Sequence, residues 1–213
     1  MSRASLERVR RYFDSIKPSE VAEQKKYWIQ QYPKSNQEVR NRWLFAFASV
    51  HTNWQNNVKQ YESVKDKPLC DYGKVLSRLK NSGGGMHGSK AQGIMHFGAL
   101  WRYDNTRFTQ KPTDWVANRN ANAEELRSIN KTKCSFADEL CWPLETESVC
   151  LDVHMLRLMG LPDKALTCSI YDKIEKYWNK LAKAKDIPAF IARCIYWDRQ
   201  NNQPNSHYWA HIL

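Results

Sequence analysis

Hydrophobic residues recur at helical spacing along most of the chain, and no useful stretch shows the alternation of a β-strand. In the first segment, SLERVRRYFDSI, one helical face carries Leu6, Val9, Phe13 and Ile16. Pro18 is expected to end this helix, and a second, aromatic-rich helix follows up to Pro33. Residues 36–64 come next, and their centre is apolar nearly all round, as expected for a helix buried inside a bundle.

The remaining segments repeat this pattern. After Gly73 a helix is predicted to reach Asn81, and the glycine run that follows bends the chain before another helix over 89–103. A polar loop is expected from Asp104 to about Asn122, followed by a helix, a tight turn and a helix. Later helical segments lie over 153–160, ended by Gly160 and Pro162, and from Tyr171 onward. These patterns predict an all-α fold.

Length and charge limit the possible functions. The 213 residues are enough for one domain or one bilobed domain, and only eight glycines and eight prolines interrupt it. The formal net charge is +11 and the sequence pI is about 9.4. Basic residues spread along most of the chain indicate a polyanionic partner, with nucleic acid the leading candidate and simple solubility the alternative.

The cysteines and the lengths of the apolar segments indicate the cellular compartment in which the protein is expected. None of the six cysteines forms a CxxC pair, so neither a zinc knuckle nor a compact iron–sulfur loop is expected, and the thiols are interpreted as reduced. There is no signal peptide and no apolar run near 18 residues. We therefore expect a monomeric cytoplasmic protein with no membrane segment and no metal site.

The segment SGGGMHGSK, residues 82–90, could suggest a phosphate-binding loop. Gly83 and Gly88 have the right spacing, but Ser89 precedes Lys90, whereas such a loop needs lysine directly after its last glycine. The preceding segment also has helical spacing where a buried strand is required. The glycines are therefore interpreted as a bend between helices.

A polar string interrupts the apolar run of residues 36–64. It contains His51, Thr52, Asn53 and Gln55. Buried polar side chains need hydrogen-bond partners or a function, so each of these residues is either bonded structurally or is a candidate for a binding pocket.

A lysine and an aspartate carry the candidate chemistry. In SINKTKCSFADELCWPLETESVCLDVH, Lys133 precedes Asp152 by nineteen positions, and His154 follows two further on. A lysine in an enclosed, basic environment can lose its proton and act as a nucleophile or base. A nearby carboxylate can stabilise developing positive charge or accept a proton.

This order of helix, tight turn, helix with an early lysine, and aspartate opening a further helix resembles the helix-hairpin-helix DNA glycosylase superfamily. In its members related to 8-oxoguanine glycosylases, a hairpin of the type L-P-G-V-G-x-K precedes the aspartate of a V-D-x-H segment by the same spacing. The resemblance implies a helix-hairpin-helix DNA glycosylase-like bundle of two lobes. One lobe would contain the N- and C-terminal helices, and the other residues 70–150, approximately.

The resemblance also implies roles for individual residues. Lys133 and Asp152 would be catalytic. A flipped-out base would meet His51, Asn53, Gln55, His87 and His154. DNA would be contacted by Gly84, Gly85, Ser89, Lys90, Asn130 and Lys131. The turn departs from the family pattern because Ser128–Lys131 contains no glycine. Asn130 is expected to supply the left-handed backbone, and Lys131 to replace the lost phosphate contact with charge.

A closer resemblance covers almost the whole chain. The segments RWLFAFASVHTNWQNNVKQYE, SGGGMH, CWPLETESVCLDVHMLRLMGL and the terminal YWDRQ…SHYWAHIL are similar to those of bacteriophage amino acid:DNA transferases, also described as α-glutamyl/putrescinyl-thymine pyrophosphorylase-like proteins. The similarity implies that a glycine-like amino acid replaces the pyrophosphate of 5-pyrophosphoryloxymethyl-uracil in DNA. In that case the protein would work in the host cytoplasm. A divalent metal could accompany the pyrophosphate, but no cofactor is evident.

Two other functions stay open. One is a bifunctional glycosylase/lyase that excises a modified base through Lys133 and Asp152. The other is a DNA-binding module that kept the fold and lost the catalytic activity. The altered hairpin suggests this alternative. The residues alone favour the glycosylase, whereas the similarity over the whole length favours the transferase.

Overall fold

The computed structural model describes residues 2–162, 166–201 and 207. These residues form helices and connecting turns, and the described part of the chain contains no β-strand. The helices are α1 Arg3–Asp14, α2 Pro18–Gln30, α3 Asn36–Ala48, α4 Trp54–Val64, α5 Tyr72–Asn81, α6 His87–Tyr103, α7 Thr106–Thr109, α8 Trp115–Glu125, α9 Lys131–Cys141, α10 Val153–Leu158, α11 Cys168–Ala184 and α12 Ala189–Asn201. The predicted all-α class is confirmed.

The chain divides into two compact units. Unit one comprises Met1–Tyr32 and Trp142–Leu213, and unit two comprises Pro33–Cys141. Unit two therefore includes residues 33–69, which the sequence analysis had left outside the lobe of residues 70–150, because α3 packs against α4, α6, α7 and α9. Residues 142–150 belong to unit one.

Unit one is built around the apolar faces of α1, α11 and α12. Ser2 caps α1 by accepting a hydrogen bond from the Ser5 backbone N–H at 3.1 Å. Phe13 of α1 packs edge-on against the buried Trp178, whose indole N–H donates to the Ala189 carbonyl at 3.0 Å. The helix ends at Asp14, and Pro18 occupies the first position of α2, where its missing N–H leaves no hydrogen bond unmade.

The central helix of unit two is α3, and it is the apolar helix anticipated from the sequence. Its residues 44–48 are fully buried. Phe45 contacts the ring of Phe136 on α9, and Phe47 contacts Phe97 on α6. Arg42 lies in the same interior and donates a hydrogen bond to the Leu140 carbonyl. Neighbouring helices therefore cover α3 on several sides.

The polar loop expected over residues 104–122 is wrong. The structure places α7 and most of α8 there. Asp114 caps α8 by accepting from the Ala117 N–H at 2.9 Å. The buried stripe of α8 carries Trp115, Arg119 and Asn122, so two of its three members are polar. Because the helix buries polar side chains, its sequence lacks the apolar periodicity that would have revealed it.

Candidate active site

The helical hairpin is formed by α8, a five-residue turn and α9. Ser128 has a backbone φ of +63° and supplies the left-handed conformation of the turn. The expectation that Asn130 would supply it is therefore wrong. Asn130 instead opens α9, since its side-chain oxygen accepts from the Lys133 N–H at 3.2 Å and its carbonyl accepts from the N–H of Cys134 at 2.9 Å. A short polar side chain stabilises a helix start in this way.

The hairpin turn packs closely against α6. A Cβ atom added to Gly93 would lie 2.5 Å from the Arg127 carbonyl oxygen and 3.1 Å from the Cβ of Ser128. Only glycine leaves room for this approach of helix and turn. The close contact between α6 and the hairpin turn therefore depends on Gly93.

Lys133 lies on the first turn of α9 and is half-buried. Its ammonium nitrogen is 5.6 Å from the centre of the Phe136 ring, within the range of a cation–π contact. Lys131 starts the same helix and is also half-buried. The hairpin therefore holds the predicted catalytic lysine at the N-terminal end of α9.

Lys90 occupies a different environment from the one expected. Its side chain is fully buried, and its ammonium donates to the Ala48 carbonyl at 2.9 Å and to Oε1 of Gln60 at 2.6 Å. The interpretation of Lys90 as a DNA contact is therefore corrected. Burial, followed by the positive charge of Lys133, lowers the pKa of Lys90 to about 8.

The glycine run forms a bend between α5 and α6, as the sequence indicated. Gly83 and Gly84 have φ angles of +82° and +81°, and Met86 has a φ of +61°. A side chain on Gly84 would meet the amide nitrogen of Gln60 at 2.6 Å. The same amide nitrogen donates to the Gly83 carbonyl at 2.5 Å, and Nε2 of His87 lies 3.1 Å from that carbonyl oxygen. The bend is thus held against α4.

Gly84 is exposed, while Gly85 and Ser89 are half-buried, so these predicted DNA contacts are at least partly accessible. No atom would lie within 4 Å of a Cβ at Gly85. A nucleic-acid backbone could approach the bend at these positions.

The polar string lies between α3 and α4. His51 is exposed and has a φ of +44°. Asn53 caps α4 by accepting from the Asn56 N–H at 2.9 Å, and Gln55 is exposed on the first turn of α4. The oxygen of Thr52 is buried without a hydrogen-bond partner, 3.3 Å from the Cβ position of Gly84. Of these residues, Asn53 has a structural bond of the kind anticipated.

Asp152 belongs to unit one and caps α10. Its Oδ1 accepts from the N–H groups of His154 and Met155 at 3.0 and 3.1 Å. Its Oδ2 lies 3.8 Å from Arg193, whose side chain is buried and stacks over the Phe190 ring at 5.3 Å. Two N–H groups and a guanidinium thus fix the orientation of the carboxylate.

His154 lies in the same part of unit one. It contacts the ring of Trp197 edge-on, with ring centres 4.3 Å apart. Together with Asp152 and Arg193, these two rings form a group with a carboxylate, a cation and aromatic surface. A carboxylate held in this way can stabilise positive charge on a reacting sugar or amine.

The sequence analysis did not predict several residues that lie around the candidate site. Gln60 gave no signal, because a glutamine on an amphipathic helix is ordinarily exposed. Arg193 did carry one, since a single arginine within the apolar run FIARCIYW needs a partner when the helix is buried. Trp197 follows in the same run, and nothing in its spacing distinguishes it from a core tryptophan.

No metal centre is built by the side chains that the structure describes. Within residues 2–162 and 166–201 no three His, Cys, Asp or Glu side chains form a group able to hold a metal ion. In the same part of the chain, no helix is long and apolar enough to cross a membrane. The cysteines there form no disulfide bond, and Cys70 and Cys168 are exposed whereas the other four are buried.

The fold is that of the all-α DNA glycosylases. The 8-oxoguanine DNA glycosylase of Methanocaldococcus jannaschii superposes with a TM-score of 0.71 at 13% identity, covering 93% of this chain and 94% of that chain. A structure of the M. jannaschii 8-oxoguanine glycosylase/lyase with a 15mer DNA containing 8-oxoguanine gives a TM-score of 0.70 at 14% identity and covers 93% and 97% of the two chains.

The 8-oxoguanine DNA glycosylase of Thermotoga maritima is similar as well, with a TM-score of 0.67, 16% identity and coverage of 91% and 94%. No protein-family model matches the sequence, and no curated protein is detectably similar to it in sequence. The likeness therefore establishes the fold.

Proposed function

We propose that this chain is a DNA-base-processing enzyme that takes a modified base out of the duplex and acts on it with Lys133 and Asp152. The observation that carries the proposal is the placement of Lys133 on the first turn of α9, directly after the hairpin turn, in a chain that shares the DNA glycosylase fold over 93% of its length. The net charge of +11 supports DNA as the partner, because phosphate contacts dominate nucleic-acid affinity. A base must leave the stack to be reached.

The specific reaction that we propose is transfer of an amino acid to 5-pyrophosphoryloxymethyl-uracil in DNA. The neutral amine of the incoming amino acid attacks the methylene carbon on the base, and Lys133 stabilises the leaving pyrophosphate. The carbon–oxygen bond breaks, and pyrophosphate leaves with the electron pair. Asp152 steadies the positive charge on the incoming nitrogen. The full-length resemblance to the phage transferases supports this reaction.

The second candidate is base excision by a glycosylase/lyase. The amine of Lys133 attacks the sugar C1′, and the glycosidic bond breaks with its electrons moving to the base, which takes up a proton. The C1′–O4′ bond then opens with its electrons moving to O4′, which takes up a proton lost by the lysine nitrogen, so that an imine links the enzyme to the DNA. Asp152 supports the positive charge that develops on the sugar. The likeness in fold to 8-oxoguanine DNA glycosylases supports this candidate.

Mass spectrometry of nucleosides tests both reactions. DNA duplexes carrying 5-pyrophosphoryloxymethyl-uracil, 5-hydroxymethyl-uracil or 8-oxoguanine are incubated with the protein and glycine, with and without borohydride. A nucleoside that carries glycine in place of the pyrophosphate, together with released pyrophosphate, is the expected result. A free base and a borohydride-trapped adduct would establish the glycosylase/lyase instead. Unchanged DNA in every case would refute the proposed function.

Substitutions then test the roles proposed for Lys133 and Asp152. Lys133→Ala is expected to lower the rate at least about 100-fold, in line with loss of a catalytic acid–base or nucleophilic group. Asp152→Asn should do the same while keeping α10 capped, because asparagine is as good a cap as aspartate. Lys80→Ala, at an exposed position of α5, is the matched control. Normal turnover by a Lys133→Ala, Asp152→Ala double variant would exclude chemistry by this pair.

A further inference from the structure

The helix α11 carries four lysines on one face. At 3.6 residues per turn, Lys173, Lys176, Lys180 and Lys183 fall within about 80° of the helix circumference. All four residues are exposed. These four residues are called the lysine face of α11.

The rest of α11 is occupied by packing within unit one. Tyr171, Ile174 and Trp178 are buried in the core that the helix forms with α1 and α12. Glu175, one of the two acidic residues of the helix, is also buried, and its carboxylate accepts a hydrogen bond from the Val149 N–H at 2.9 Å. The core therefore fixes the lysine face outward and holds Glu175 inside the protein.

The lysine face contains like charges that are not neutralised by neighbouring carboxylates. Lys185, just beyond the helix end, lies 2.7 Å from Asp14, but in the part of the chain that the structure describes no carboxylate forms an ion pair with a lysine of the face. Asp172 stands four residues before Lys176 and does not pair with it. Lysines three and four residues apart on a helix repel each other. The arrangement therefore lowers the stability of the free protein, and an external polyanion would relieve that repulsion.

The spacing of the lysine face fits the phosphates of duplex DNA. At 1.5 Å per residue, the distance along the helix from Lys173 to Lys183 is about 15 Å. One strand of a duplex carries a phosphate for about every 3.4 Å of its axis, so this length faces about four phosphates. The number of positive charges on the face equals the number of phosphates within its reach.

We propose that the lysine face of α11 binds the phosphate backbone of duplex DNA and adds affinity that does not depend on base sequence. This inference rests on the proposed function for the identity of the partner. The face belongs to unit one, whereas the glycine bend and the helical hairpin belong to unit two. Lysine is suited to such a contact, because its flexible side chain presents a point charge to a phosphate.

The test compares two four-fold variants that lose the same charge. Binding to a labelled duplex without a modified base is measured by fluorescence anisotropy over a series of salt concentrations, so that only contacts to ordinary DNA contribute. Glutamine replaces each lysine, because it loses the charge and keeps the helix-forming tendency. One variant changes the whole lysine face. The control variant changes four exposed lysines dispersed over other parts of the chain, namely Lys26, Lys34, Lys67 and Lys111.

We expect the slope of log affinity against log salt to lose about three to four in magnitude in the lysine-face variant, at about 0.9 for each lost phosphate contact. The control variant should lose less than about one, because dispersed charges act only through the overall field of the protein. Circular dichroism and thermal unfolding establish that both variants are folded. Acetylation of lysines in the wild type gives a second measurement without any substitution, and bound duplex should protect the lysine face more than the four control lysines.

Equal slopes in the two folded variants, or equal protection of the two sets of lysines, would overturn the inference. Binding to phosphatidylserine vesicles that depends on the lysine face, with an unchanged DNA slope, would assign the face to a membrane surface and overturn it as well.

Nucleoside mass spectrometry separates these outcomes from failure of the proposed function. An active wild type with an unchanged slope in the lysine-face variant would refute the DNA contact of α11 alone. An inactive wild type with a reduced slope in that variant would refute the proposed reaction and leave the lysine face as a DNA contact.

Discussion

Stability should depend on pH through the buried ammonium of Lys90. Its pKa is about 8 in the folded protein, whereas a lysine exposed by unfolding has a pKa of 10.5. Between these values the unfolded chain binds more protons than the folded one, so the free energy of unfolding rises with pH. Below about pH 8 both states carry the proton, and the destabilisation from burial is fully present.

We therefore expect the wild type to gain about 1–2 kcal/mol relative to Lys90→Met between about pH 7 and about pH 9.5. Urea denaturation of both proteins at the two pH values measures this difference. Comparing the two proteins removes the contribution of every other titrating group. A stability difference that stays constant with pH would contradict a buried, charged Lys90. A wild type that loses stability relative to Lys90→Met as the pH rises would contradict it as well.

At the scale of elements, the contact between α6 and the hairpin turn decides where α9 begins. This contact depends on Gly93, because the Arg127 carbonyl oxygen occupies the space that a methyl group would need. The neighbouring atoms include backbone, which cannot move aside as a flexible side chain can. The position of Lys133 is thus set partly by a helix more than thirty residues earlier in the chain.

Gly93→Ala is expected to destabilise the protein by about 2 kcal/mol, as overpacking does, although alanine is the better helix former. Gly88→Ala on the same helix is the matched control, because its Cβ would lie 3.7 Å from the Tyr72 hydroxyl, an ordinary contact. That variant should be neutral or gain about 0.5 kcal/mol. Chemical denaturation measures both, and equal effects of the two substitutions would disprove the close contact.

At the scale of the whole molecule, the charge of +11 should dominate encounters with DNA. Binding measured by fluorescence anisotropy over a series of salt concentrations is expected to weaken linearly in the logarithm of salt, because counterions are released from neutralised phosphates. Lys131→Ala should lower the magnitude of that slope by about one. Lys80→Ala, at an exposed position of α5, serves as the comparison.

An unchanged slope in Lys131→Ala would show that the first residue of α9 contacts no phosphate. The hairpin would then lack both the family glycines and the charge proposed to replace them. The salt dependence thereby tests whether the turn Ser128–Lys131, which contains no glycine, contacts phosphate through Lys131.

Sequence alone was sufficient to predict the helices that have an apolar stripe and the local features of the backbone. The helical class, the bend at residues 82–86 and the cap formed by Asp152 all follow from periodicity and local backbone preferences. It was insufficient for α8, whose buried stripe is largely polar. It also placed the left-handed turn residue at Asn130, because intrinsic preference favours asparagine, whereas the contact with α6 puts it at Ser128.

What the sequence determined by itself was the helices with an apolar stripe, the basic character of the chain and the spacing of Lys133 and Asp152, because these can be read without knowing which distant segments pack together. Only the tertiary structure decided that Lys90 is buried on Ala48 and Gln60, and that Arg193 faces Asp152. These partners are 30 to 42 residues apart in the chain, and burial is a property of the packed unit rather than of a residue type. A lysine or arginine looks the same in a sequence whether water or protein surrounds it.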